Sequence, residues 1–122
     1  MTAAARFTVG VLLGGLLLLR PTASEAHAFL DHAEPRVGST VSPPSALTLQ
    51  FTEPLEPALC RVEVLGPGGK TMTTSAVEHP SPATLRVGLP SLPPGDYIVH
   101  WAVISVDTHP TEGRFTFSVK AP

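Results

Sequence analysis

Apolar and polar residues alternate with a period of two over most of the chain beyond residue 27. Leu47, Leu49 and Phe51 lie on one side of a segment whose other side carries Thr48, Gln50 and Thr52, the pattern of a half-buried β-strand. Cys60, Val62 and Val64 alternate in the same way with Arg61 and Glu63. Leu85, Val87 and Leu89 share one face of residues 84–89, and Phe115, Phe117 and Val119 alternate with Arg114, Thr116, Ser118 and Lys120. The pattern also predicts an opening strand over residues 28–32 and another starting near Thr71. Residues 97–104 form the longest candidate. Tyr97, Val99, Trp101 and Val103 occupy one face, Ile98, His100, Ala102 and Ile104 the other, so this strand is expected to lie centrally in its sheet.

The segments between these strands are rich in turn-forming residues. Residues 27–122 hold 13 prolines and 7 glycines, and Gly66-Pro67-Gly68-Gly69 and Pro93-Pro94-Gly95-Asp96 are turn sequences with a mechanism: proline presets φ and glycine supplies positive φ. Pro43-Pro44, Pro80-Ser81-Pro82 and Pro93-Pro94 interrupt the chain too often for helices of ordinary length. About seven short strands at this spacing predict an all-β fold, an immunoglobulin-like antiparallel β-sandwich or small Greek-key barrel.

Ahead of these strands the pattern changes. Arg6 precedes an apolar run over residues 7–19, and Ala23-Ser24-Glu25-Ala26 follows. The run is shorter than the roughly 20 residues of a membrane span and suits a secretory leader. Residues 1–26 are read as a cleaved signal peptide and residues 27–122 as one domain of 96 residues. Ala26-His27-Ala28 offers a second small-x-small cleavage point after Ala28. The leader predicts export from the cytoplasm, with membrane contact only through the transient leader itself. The remaining domain carries six basic and nine acidic residues, with no basic cluster, so nucleic acid is not an expected partner. The single cysteine, Cys60, excludes an internal disulfide. It reads as a small buried hydrophobe on the apolar face of its strand.

Five histidines carry the candidate chemistry: His27, His32, His79, His100 and His109. In Ser105-Val106-Asp107-Thr108-His109-Pro110, an extended backbone would project Asp107 and His109 to the same side, and Pro110 disfavours the helical region for His109. Such a pair alone is more often a turn or surface device. Its weight comes from His27, which on cleavage after Ala26 would offer a metal both its α-amine and its imidazole. Three nitrogens and one oxygen form a tetragonal N,O set suited to Cu(II), or less well to Ni(II). Zinc prefers tetrahedral sites. Beyond the leader Met72 is the only methionine, so no Cu(I) site is expected.

Three stretches resemble the CopC family of periplasmic copper-binding proteins. The first is His27-Ala28-Phe29-Leu30 with Glu34-Pro35, Gly38 and Leu49-Gln50-Phe51-Thr52-Glu53-Pro54. The second runs from Leu92 to Trp101, and the third from Val103 to Pro110 with Gly113, Phe115, Phe117 and Val119. The resemblance spans essentially all of residues 27–119. It implies a β-sandwich holding one Cu(II) through the amine and imidazole of His27, the imidazole of His109 and the carboxylate of Asp107. It places Glu53 beside the copper as an acceptor that orients a ligand imidazole. Family members that also bind Cu(I) use a methionine-rich loop in mid-chain. Here that region holds only Met72 and His79, which points to the Cu(II)-only type. Of His32, His79 and His100, each expected at a surface or edge, His32 is placed closest to the copper.

The reading is a small exported Cu(II) carrier or buffer in copper homeostasis or resistance, monomeric and not an enzyme. The family's usual partner is an inner-membrane copper transporter of the CopD kind. One alternative is a histidine-brace copper oxygenase, which needs open coordination and a wide substrate surface; Asp107 as a ligand and the small domain oppose both. The other is an immunoglobulin-like structural module without metal.

Overall fold

The computed structural model describes residues 28–122; the predicted leader and His27 lie outside the described residues. Nine strands follow in order: β1 (Leu30–Glu34), β2 (Thr40–Val41), β3 (Ala46–Phe51), β4 (Arg61–Leu65), β5 (Thr71–Met72), β6 (Glu78–Ser81), β7 (Thr84–Gly88), β8 (Gly95–Ile104) and β9 (Pro110–Val119). Two 3-10 turns, Pro57–Leu59 and Pro67–Gly69, are the only helical pieces among the described residues. A four-stranded sheet in the order β1-β3-β7-β6 faces a five-stranded sheet in the order β2-β9-β8-β4-β5. Every pairing is antiparallel except β2 with β9. The all-β sandwich expected from the alternation is therefore the fold.

The alternating apolar residues meet between the sheets. Leu47, Leu49 and Phe51 of β3 and Leu85 and Val87 of β7 are buried, as are Tyr97, Val99, Trp101 and Val103 of β8 and Phe115, Phe117 and Val119 of β9. Phe51 and Trp101 bridge the sheets edge to face, with ring centroids 5.1 Å apart and planes at 74°. Tyr97 and Phe117, neighbours in register, stack at 5.5 Å. Such pairs add about 0.5–1.5 kcal/mol beyond the burial itself. Tyr97 also donates its hydroxyl to the carbonyl of Pro93, a tyrosine corner that locks the start of β8. Burial pushes its phenol above the usual range.

β8 occupies the centre of its sheet, as its two apolar faces predict. Its second face forms the outer surface, where Ile98 is exposed and His100, Ala102 and Ile104 are half-buried. Gly113 lies opposite Trp101 on β9. A Cβ there would stand 2.4 Å from Trp101 Cζ2, so only glycine lets the indole lie across the strand.

Two elements escape the alternation rule. β6 is exposed at all four residues and contains Pro80, in the stretch expected to separate elements. It is an edge strand paired only with β7, where proline is tolerated. An Arg86–Glu78 ion pair at 3.0 Å and a Ser81–Thr84 hydroxyl hydrogen bond at 2.6 Å brace it. β2 is two residues long and pairs in parallel with the end of β9. Cys60 is buried as expected. Its thiol donates to the Glu56 carbonyl at 3.2 Å, and burial raises its pKa above the ordinary value.

Candidate metal centre

β8 and β9 pair over ten successive residues, from Gly95 opposite Val119 to Ile104 opposite Pro110. The hairpin closes through residues 105–109. Thr108 N–H donates to the Ser105 carbonyl at 2.8 Å, and Ser105 N–H to the His109 carbonyl at 3.2 Å. Thr108 takes a positive φ of 71°. This is a tight hairpin turn whose last residue is left-handed. The expectation that residues 105–109 run extended is thus corrected: Asp107 and His109 meet because the turn folds them together, not because they share a strand face.

Ser105 is the pivot of this turn. It is 1% exposed, and its hydroxyl donates to Asp107 Oδ1. The Ser105 hydroxyl oxygen in turn accepts the His109 N–H at 3.3 Å. The other Asp107 oxygen, Oδ2, faces His109 Nδ1 at 3.2 Å. The hydroxyl of Ser105, and after it the facing His109, hold the Asp107 carboxyl below the usual carboxylate range, outweighing its partial desolvation. Asp107 and His109 both reach solvent, with side chains 37% and 52% exposed. The result is one anionic oxygen and one imidazole nitrogen side by side at an open end of the sandwich.

The neighbouring segment is fastened to this turn. Val106 N–H donates to the Pro54 carbonyl at 3.0 Å, and Glu56 N–H to the Ile104 carbonyl at 2.8 Å; Leu55 and Ser105 form an isolated bridge. Glu53, half-buried in the bend after β3, immediately precedes Pro54. The opening of the described chain reaches the same end. Ala28 is fully buried, and its carbonyl accepts a 2.7 Å hydrogen bond from Thr111 Oγ1, two residues beyond His109. Phe29 and Thr52 exchange two further hydrogen bonds at 2.9 Å.

The other histidines have local partners. His32 Nε2 lies 3.1 Å from Glu34 Oε1 on β1, and His79 Nδ1 lies 3.1 Å from the Thr84 carbonyl on the edge strand. His100 has Glu63 at 3.9 Å from Nδ1 and Glu112 at 3.4 Å from Nε2. Those carboxylates flank opposite ring nitrogens and do not converge on one point. Among the described residues no group of three or more His, Cys, Asp or Glu side chains could hold a metal, His32 included. The pair Asp107–His109 is what the described residues bring together. Sequence reasoning missed the roles of Ser105 and Thr111. The Ser-x-Asp spacing is a local hydrogen-bond signal that could have exposed the first. The second spans 83 residues and leaves no local trace.

The CopC domain model matches residues 30–120. The chain belongs to the CopC family. Protein YobA of Escherichia coli K12 is 37% identical over 99 residues, covering 78% of this chain and 80% of the relative. The crystal structure of CopC from Methylosinus trichosporium OB3b superposes with a TM-score of 0.73 at 31% identity, covering 77% of this chain and 94% of that one. PcoC, a methionine-rich copper resistance protein from Escherichia coli, superposes with a TM-score of 0.74 at 29% identity, covering 78% and 100%. The function of this CopC-family chain is copper-related. The resemblance to the CopC family over residues 27–119 is borne out at the level of family and fold.

Proposed function

We propose that residues 27–122 form an exported, monomeric Cu(II) carrier or buffer of the periplasm that binds one ion per chain and performs no catalysis. In this reading residues 1–26 are removed as a signal peptide. The metal is then taken by the α-amine and imidazole of His27, the carboxylate of Asp107 and the imidazole of His109, with Glu53 orienting a ligand. Three nitrogens and one carboxylate oxygen fill the equatorial positions that Cu(II) favours. The ion is cargo, passed on to a recipient such as an inner-membrane copper transporter.

The observation that carries this reading is the end of the sandwich where Asp107 Oδ2 and His109 Nδ1 stand 3.2 Å apart and Thr111 ties down Ala28. In the sequence, His27 is the residue immediately before Ala28. Met72, the single methionine beyond the leader, packs against the hydrophobic core. That supports a Cu(II)-only site, in contrast to a methionine-rich relative such as PcoC.

The test is Cu(II) titration, followed by paramagnetic resonance, of protein beginning at His27. The comparisons are a form with one extra residue ahead of His27 and the variants His27→Ala, Asp107→Ala and His109→Ala. One tightly held equivalent is expected in the first protein, with weakening in all the others. Equal copper retention by all five would overturn the assignment.

A further inference from the structure

We infer that Ser105 is the positioning residue of this site, and that by holding Oδ1 of Asp107 it leaves the metal a single carboxylate oxygen, Oδ2. The inference rests on the copper reading above and adds how the carboxylate is used. A free carboxylate has two equivalent oxygens and about four lone-pair directions, and a half-exposed aspartate can rotate to present either oxygen or both. Asp107 is fixed otherwise. Its Oδ1 accepts from a hydroxyl that is itself buried, while Oδ2 faces the imidazole of His109.

The Ser105 oxygen also accepts the His109 amide, so one atom fixes the backbone of one candidate ligand and the side chain of the other. The residue carrying that atom is held from both directions. Its backbone N–H and C=O close the hairpin turn onto His109 and Thr108, and the bridge to Leu55 ties it to the neighbouring segment.

The consequence is one of stoichiometry at the metal. Cu(II) in a tetragonal N,O site has four strong equatorial positions. A carboxylate binding through one oxygen takes one of them and leaves three for nitrogen. A carboxylate binding through both oxygens would compete with a nitrogen ligand for its place. Ser105 thus sets how many oxygens Asp107 gives the metal, without touching the metal itself.

Ser105→Ala in the mature protein tests this. Removing a partner that orients a metal ligand typically costs about 10–100-fold in metal affinity, and a loss of that size is expected here. The copper paramagnetic resonance spectrum should change with it, because a released carboxylate alters the equatorial set, and thermal melting of the metal-free variant checks that it is folded. Parental affinity and an unchanged spectrum in Ser105→Ala, with Asp107→Ala weakened, would overturn the role of Ser105 and leave the copper reading standing. Parental binding by Asp107→Ala and His109→Ala as well would overturn both. Should Ser105→Ala fail to fold, the infrared difference spectrum of the parent protein on copper loading decides, with Asp107→Ala assigning the bands. A wider gap between the antisymmetric and symmetric carboxylate stretches marks one-oxygen binding and supports the inference; a narrower gap marks binding through both oxygens and overturns it.

Discussion

The hydroxyl of Thr111 donates a 2.7 Å hydrogen bond to the carbonyl of Ala28, joining the first described residue to the strand that follows the Asp107–His109 turn. Ala28 has no solvent exposure, so this carbonyl could not exchange its partner for water.

Replacing Thr111 by Val keeps the shape and removes the donor. Leaving a buried acceptor unsatisfied costs about 1–3 kcal/mol, so the metal-free domain is expected to lose about that much stability and to melt at a lower temperature. Copper affinity should fall together with stability, since the residue next to His27 loses its tie. Calorimetry and copper titration on the same sample measure both. Lower stability with parental copper affinity would show that the tie serves the fold alone.

Thr108 holds a β-branched side chain at a positive φ of 71°, a conformation that costs an L-residue about 1–2 kcal/mol. Its hydroxyl bonds the Asp107 carbonyl at 2.6 Å, which offsets part of the strain. Glycine adopts this conformation freely but loses about 0.5–1 kcal/mol in entropy. Thr108→Gly is therefore expected to stabilise the metal-free domain by up to about 1 kcal/mol, or roughly 4–8 °C for a domain this small. A lower melting temperature would mean that the hydroxyl contact outweighs the strain.

Acid should act on the nitrogen donors before the carboxylate. Asp107 is held below the usual carboxylate range, chiefly by the Ser105 hydroxyl, so it stays ionised in mild acid. A lowered folded-state pKa contributes stability that is present above the unfolded value, about 3.9 for Asp, and is lost as pH falls through the folded value. The stability that the ionised Asp107 carboxylate gives the metal-free parent over Asp107→Asn should thus be lost only below about pH 4. Copper affinity should decline earlier, as pH falls from neutral into mild acid, because protons compete with the ion for the nitrogen donors. Affinity that is flat over that interval would count against nitrogen donors.

Gly113→Ala tests the packing of Trp101. The added carbon would collide with the indole at 2.4 Å, and overpacking of this kind costs about 1–3 kcal/mol. Denaturant unfolding followed by the fluorescence of Trp101, the only tryptophan, should show an earlier midpoint. An unchanged midpoint would mean that the ring moves aside without cost.

The sandwich was legible wherever a strand buries one face. Leu47, Leu49 and Phe51, or Phe115, Phe117 and Val119, alternate because the core demands it, and all six are buried. β6 was not legible because it buries nothing; backbone pairing to β7 makes it a strand, and no side-chain period records that. At the site, Asp107 and His109 were readable as neighbours in sequence, and they meet. The cause was not readable, since an extended segment and a tight turn can both bring residues i and i+2 together. The link from Thr111 to Ala28 depends on chain reversal through the whole fold, which no local pattern encodes. His27 lies outside the described residues, and its role as a ligand rests on the proposal.

On the proposed copper reading, the ten-pair ladder of β8 and β9 bears on how quickly the ion would be taken up. Asp107 and His109 sit at the tip of the longest hairpin, and the conformational entropy of bringing them together is spent when the domain folds. An arriving ion then has only water and protons to displace at these two donors, with no search for backbone shape. Uptake should leave the backbone conformation of β8 and β9 unchanged, while the ion raises the melting temperature, and slows exchange of amides that open only by global unfolding, by mass action alone. The hairpin is a preset jaw, closed by folding long before the metal arrives.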